Sequence, residues 1–243
     1  MKIRHILLLS TCLFLLTSCQ SSPVENENST YEYTHFTLHG QSASKSEADI
    51  INDELEKHYM RILDDMGLTS INRVHLYIFN DGSSLRDAVA KRYPGIYLPG
   101  FATGLTPSAT DIYLVKPPSG RFTIYIHEFA HCVEQHVNPS IPNRPRWLWE
   151  SIALFEAGEF TEPSNISVLT SNNLPRLSDM SDFNNTVVYQ IGYLLGEYVF
   201  KNFGKEKYIE LIKSNGNVGS VLGLTDNAFM NEWYKYLKQH YDF

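Results

Sequence analysis

Two histidines four residues apart with a glutamate between them, His127-Glu128-Phe129-Ala130-His131, restrict this chain more than any other stretch. On a helix, residues i and i+4 lie about 40° apart around the axis and about 6 Å along it, so both imidazoles can face one point. Apolar residues at Phe122, Ile126, Phe129 and Val133 follow the i, i+4, i+7, i+11 spacing of a helix with one face in a core. The two histidines share the adjacent face, with Glu128 beside them. A lone histidine there would more often be a packed core or surface residue, whereas a pair at ligand spacing points to a metal site.

The third ligand comes from the next helix. The first helix is predicted to end near Val137, because Asn138-Pro139, Ile141-Pro142 and Arg144-Pro145 disfavour helical backbone and form an eight-residue turn. From Arg146 a second helix places apolar residues at Leu148, Ile152 and Phe155, and Glu150 one turn in, on the side of Ala153 and Ala157. Small neighbours leave room for an ion, so Glu150 reads as a ligand and not as a first-turn carboxylate that merely complements the helix dipole. The expected cofactor is one zinc ion per chain, which lowers the pKa of water toward about 7 and polarises a neighbouring carbonyl. Glu128 is then placed to take the proton of that water.

These residues resemble the gluzincin metallopeptidases, in which a His-Glu-x-x-His helix is completed by a Glu of the following helix. The eighteen residues between His131 and Glu150, and the run Trp147-Leu148-Trp149-Glu150-Ser151-Ile152-Ala153, resemble the aminopeptidase N-like branch. The metzincin pattern fits worse, since Glu134 and Val137 stand where it requires Gly and His. His136, five residues after His131, points about 140° away and reads as a surface residue. A second block, Tyr189-Gln190-Ile191-Gly192 continuing to Lys207, resembles the family's Tyr-x-x-Gly helix, whose tyrosine hydrogen-bonds the developing oxyanion. The resemblance implies that role for Tyr189, with Tyr193 one turn later as the alternative. A preorganised hydroxyl stabilises such an oxyanion by a few kcal/mol. In a chain with 15 tyrosines, a buried core tyrosine is the competing reading.

The resemblance implies a zincin-like α+β fold, a small mixed sheet and active-site helix followed by a mainly helical C-terminal half. It covers roughly residues 100 to 240 and breaks upstream of the helix. The strand with a Gly-Ala-Met-Glu-Asn-like run, whose Glu holds a substrate's free amino terminus, has no counterpart. Residues 101–105 and 111–115 read instead as two short strands around a Thr-Pro-Ser-Ala-Thr turn. Such a strand can pair with a peptide along its edge but carries no amine-recognising acid, so exopeptidase specificity is not implied.

The N-terminus carries Lys2 and Arg4, then an apolar run from Ile6 through Leu16 broken by Ser10, Thr11 and Cys12. It reads as a secretory leader, too short to span about 30 Å of hydrocarbon. Leu16-Thr17-Ser18-Cys19 resembles the lipobox of bacterial lipoproteins, which implies cleavage before Cys19, lipid on its sulfur and anchoring to the cell envelope. Gln20 after that cysteine suggests outer-membrane sorting in a two-membrane cell; a Gram-positive surface is the alternative. Residues 19–30 read as a flexible polar tether. Loss of Lys2 and Arg4 with residues 1–18 takes the formal charge from −7 to −9, which argues against nucleic-acid binding. Cys132 is then the only cysteine besides Cys19, so no disulfide framework is available. It stands 100° round the helix from His131 and is expected to pack.

Residues 31–243 are expected to form one domain, α/β over 31–118 and helical over 119–243. Tyr33–Leu38 and Val74–Phe79 read as strands, and Glu47–Met66 and Ser84–Tyr93 as helices ended by Gly67 and Pro94. Later helices are predicted near 185–202, 205–214 and 226–240, the last anchored in the core by Trp233, Tyr236 and Leu237. The expected activity is zinc-dependent hydrolysis of a peptide or protein substrate. The alternative is a non-catalytic envelope lipoprotein that binds a peptide or cell-wall ligand on the same scaffold. Glu128, which ligates nothing, favours catalysis.

Overall fold

The computed structural model describes residues 28–41, 43–100, 102–118 and 120–243. The expected leader, the expected lipid site Cys19 and the expected tether as far as residue 27 lie outside these residues. No helix among the described residues is long and apolar enough to cross a membrane.

The fold is α+β, as expected. Five strands, β1 (Asn28–Glu32), β2 (Phe36–Gln41), β3 (Val74–Phe79), β4 (Gly104–Ser108) and β5 (Asp111–Val115), form a sheet in the order β1-β2-β3-β5-β4. The inner three strands are parallel and the two edge strands antiparallel to their neighbours. Helix α1 (Lys45–Asp65) is the crossover between β2 and β3. It starts two residues before the sequence expectation because Ser44 and Glu47 close a reciprocal capping box. Helix α2 (Gly82–Arg92), N-capped by Asp81, packs Leu85 and Val89 on Phe79 and Tyr113 of the opposite sheet face.

Three strands depart from the expectation. β2 runs three residues later than predicted, because the turn closed by Tyr33 N–H on the Phe36 carbonyl takes up the predicted start. β1 lies partly in the expected tether; its Asn-Ser-Thr-Tyr-Glu run has no apolar alternation to reveal it, and it is held by backbone pairing with β2. β4 begins at Gly104 and runs through Pro107 to Ser108, residues predicted as a turn; an edge strand is where a proline is tolerated.

The helical half comprises α3 (Thr123–Val137), α4 (Arg146–Ala157), α5 (Ser167–Thr170), α6 (Val188–Lys213), α7 (Val218–Leu222) and α8 (Asp226–His240). α6 holds the two helices predicted across this stretch, which meet at a kink where Gly204 (φ 81°, ψ 170°) leaves helical geometry. In α8, Trp233 and Leu237 are fully buried and Trp233 donates its indole N–H to the Leu194 carbonyl at 3.1 Å, while Tyr236 is partly buried against the same core. α3 differs from a one-faced helix: every residue from Tyr125 to Gln135 is buried. α1, α4, α6 and the strands β4 and β5 pack around it.

α6 lies on α4 with almost nothing between the backbones. A Cβ at Gly192 would stand 2.5 Å from Leu154 Cδ1, and one at Gly196 2.6 Å from both Phe155 Cβ and the Ser151 carbonyl oxygen. Gly→Ala within a helix ordinarily stabilises by about 1 kcal/mol. Gly196→Ala is expected to do the opposite, since overpacking against a backbone carbonyl costs about 1–3 kcal/mol. Thermal melting checks it: Tm should fall, and a rise would show that the helices do not sit this close.

Arg61 of α1 clamps the end of α4, donating to Glu156 Oε2 and to the Glu156 carbonyl, both at 2.6 Å. Tyr208 donates to Glu156 Oε1 at 3.0 Å. Burial outweighs the pull of half-exposed Arg61 and pushes the Glu156 carboxyl up to about 7. The folded state therefore binds this proton more tightly than the unfolded chain, and the stability it confers, full below the ordinary carboxylate pKa, is lost as pH rises through about 7. Glu156→Gln should flatten the decline of Tm between about pH 5 and 7.5; an unchanged slope would place that titration elsewhere.

Candidate metal centre

α3 presents His127 and His131 to α4, and α4 presents Glu150 to them. All three side chains are buried, and one ligand atom from each lies within 4.8 Å of the others. His127 Nε2 is 3.5 Å from Glu150 Oε2. The three residues proposed as ligands from spacing alone thus meet, in a group that can hold a metal ion.

Each histidine is oriented by a carboxylate that spacing did not single out. His127 Nδ1 lies 2.9 Å from Glu159 Oε1, and His131 Nδ1 lies 2.8 Å from Glu134 Oε2. When both carboxylates are ionised and both rings neutral, each carboxylate accepts from Nδ1–H, the tautomer that leaves the Nε2 lone pair of each ring for a cation. Trp149 stacks on His131 at 3.8 Å between ring centroids and fixes its plane. Glu134 could have been found as the i+3 neighbour of His131. Glu159 could not, because it reaches His127 only after Gly158 (φ 70°) ends α4 in a left-handed turn.

The electrostatics favour a cation. Burial lowers the His127 pKa, but hydrogen bonds and charge from Glu150 and Glu159 outweigh it and hold the ring up to about 10. His131 is pushed well below its usual value by burial and then by His127. Glu134 is pushed well above its own by burial and then by Glu150 and Glu156, and its Oε1 has no hydrogen-bond partner. Among the described residues, buried carboxylates outnumber the one buried fixed cation, Arg146, in a region where uncompensated charge is costly. The donor set of two imidazoles and a carboxylate fits a divalent ion.

Glu128 ligates nothing in this group. Thr106 of β4 donates its hydroxyl to Glu128 Oε2 at 2.6 Å, and Gln135 donates to the Thr106 carbonyl at 3.1 Å, tying β4 to α3. Burial pushes the Glu128 carboxyl up to about 7. Gly104 faces the other oxygen so closely that a Cβ there would stand 2.2 Å from Oε1. The start of β4 is thus glycine because the carboxylate occupies the space of a side chain.

No protein-family model matches the chain, and no curated protein matches it either. The chemistry is therefore read from the geometry.

Of the two candidate tyrosines, Tyr189 is at the centre and Tyr193 is not. The Tyr189 hydroxyl donates to Glu150 Oε1 at 3.2 Å, and burial together with the Glu150 charge pushes its pKa up to about 12. Tyr193 packs its ring on Phe155 and Phe160. His136 is half-buried instead of on the surface, bonded through Nδ1 to the Cys132 carbonyl and away from the ligands. Cys132 is buried, as expected, with its thiol toward the Ser108 carbonyl.

Arg146 is the other residue that sequence reasoning passed over. It is 2% exposed, and its Nη1 donates to the carbonyls of Met180, Asp182 and Asn185 at 3.3, 3.2 and 2.9 Å. Nε lies 3.8 Å from Glu150 Oε1, and the guanidinium stands 5.1 Å from the Tyr189 ring centroid. Its place four residues before Glu150 was visible; the loop that folds over it was not. The centre predicts its own dependence on these outer contacts. Glu159→Ala should weaken divalent-metal affinity by about 10–100-fold in chelator competition, and an unchanged affinity would show that Glu159 does not orient His127.

Proposed function

We propose that this protein is a zinc metallopeptidase of gluzincin type on a zincin-like fold. The observation that carries the reading is the buried convergence of His127, His131 and Glu150, with both histidine Nδ1 atoms committed to carboxylates and Glu128 beside them with no ligand role. Two imidazoles and one carboxylate are a donor set suited to zinc. When bound, zinc supplies Lewis acidity that polarises a carbonyl and makes water a nucleophile near neutral pH.

The remaining steps belong to the chain. Glu128, fixed by Thr106 and by the closeness of Gly104, accepts the proton of the attacking water and passes it to the leaving amide nitrogen. Tyr189 keeps its proton at neutral pH and donates a hydrogen bond to the oxygen that gains negative charge. Arg146 holds Glu150 and Tyr189 in place from beneath. β4, at the edge of the sheet, offers backbone groups to an extended substrate. Export and lipid anchoring through Cys19 are part of the proposal and rest on the sequence resemblance.

Metal content by mass spectrometry tests the centre first. The protein purified without added metal should carry about one zinc per chain, and Glu150→Ala should lose most of it. No zinc in the wild type after the ion is offered and the excess removed would leave an envelope binding protein. Glu128→Gln should keep the metal and lose peptide turnover by at least about 10²–10⁴-fold, and near-normal turnover would remove Glu128 from the mechanism.

A further inference from the structure

We propose that the cleft takes the interior of a polypeptide chain and not its end, with a bulky apolar side chain of that chain seated between Tyr97 and Phe183. The proposal rests on the peptidase reading for what happens to the bound chain, but not for the recognition itself.

The centre lies between two lobes, of about 590 and 330 Å³, that share Ala102, Gly104, His127, Glu128 and Tyr189. Both volumes fall in the range of about 300–1,000 Å³ typical of ligand sites, so a chain has room on either side of the reacting point. A site for chain ends closes one side with a charge that captures a free terminus. Here the charged groups nearest the centre are already committed: Glu159 to His127, Lys116 to Glu47, and Arg146 to Glu150 and the Met180, Asp182 and Asn185 carbonyls. Arg121 also lines the larger lobe, but it is exposed, so water and salt screen its charge and it does not close that side as a buried charge would.

The smaller lobe joins His131, Arg146 and Glu150 to an apolar wall of Leu98, Pro107, Pro142 and Trp149, and Tyr97 and Phe183 line both this lobe and a more apolar hollow of about 490 Å³ beside it. Tyr97 is 85% and Phe183 55% exposed, although they come from segments far apart in sequence. Large aromatics held in water beside a cleft, and not used by either core cluster, mark a surface that is covered by a ligand. The Phe183 segment is also the one whose carbonyls Arg146 holds, so this wall is preorganised from the same residue that touches Glu150.

The test uses the full-length protein and peptides blocked by N-acetylation and C-amidation. Binding is read first, by fluorescence anisotropy on Glu128→Gln with zinc, comparing a labelled blocked peptide with Phe at its centre against the same peptide with Asp or Ala. The Phe peptide should bind at least about tenfold more tightly, and Tyr97→Ala or Phe183→Ala should bring that ratio near unity. Equal binding of the three peptides would overturn the proposal. A mixed library of blocked and free peptides digested by the wild type then gives the second readout. Internal cuts with Phe, Tyr or Leu at one fixed position beside the scissile bond support it, and trimming confined to free ends overturns it. If no peptide is cut while selective binding persists, the peptidase reading falls and the recognition stands.

Discussion

Everything at the centre depends on how closely α6 approaches α4. Gly192 and Gly196 present no side chain to Ser151, Leu154 and Phe155, so the two backbones meet. Tyr189 stands one turn before Gly192 on α6, and Glu150 one residue before Ser151 on α4, so the contact that seats the glycines also brings the phenol to the carboxylate. A Cβ at either glycine would run into Leu154, Phe155 or the Ser151 carbonyl, so the helices could not keep this approach. The apolar packing and the polar constellation are therefore one structure.

The second constraint is charge. Glu134 and Glu128 of α3 and Glu150 and Glu156 of α4 are buried carboxylates on neighbouring helices. Each such group costs several kcal/mol unless it is paired or protonated. Glu156 is matched by Arg61 and Tyr208, Glu134 by His131, and Glu150 by Tyr189, His127 and Arg146. A fold that gathers carboxylates around two imidazoles gives up stability for a place where a cation is favoured, the pattern expected of a functional site.

The side of the centre given by the sheet has a different logic. β4 ends the sheet with a glycine against Glu128, a threonine bonded to it and a proline beyond, so its side chains serve α3 and its edge borders the cleft. This strand was the least legible element, since Pro107 and Thr106 read locally as a turn. Its extended form is decided by pairing with β5 and by the Gln135 bond to the Thr106 carbonyl. β1 was hidden for a similar reason, its polar residues being placed by backbone pairing and not by burial.

What the chain determined alone was whatever depends on one helix or strand at a time. The i, i+4 spacing put His127 and His131 on one face, the prolines after Val137 ended that helix, and β3, β5 and α8 followed their apolar period. Even Glu150 could be named, because only one turn of the next helix had to be counted. Tertiary structure decided what requires distance between parts remote in sequence. It put Tyr189 beside Glu150 and Tyr193 on Phe155, brought Glu159 back to His127, set Gly104 and Thr106 on Glu128, and folded Met180–Asn185 over Arg146. Local periodicity carries the direction of a side chain along its own element, whereas these contacts depend on how elements pack, which the period of neither element records.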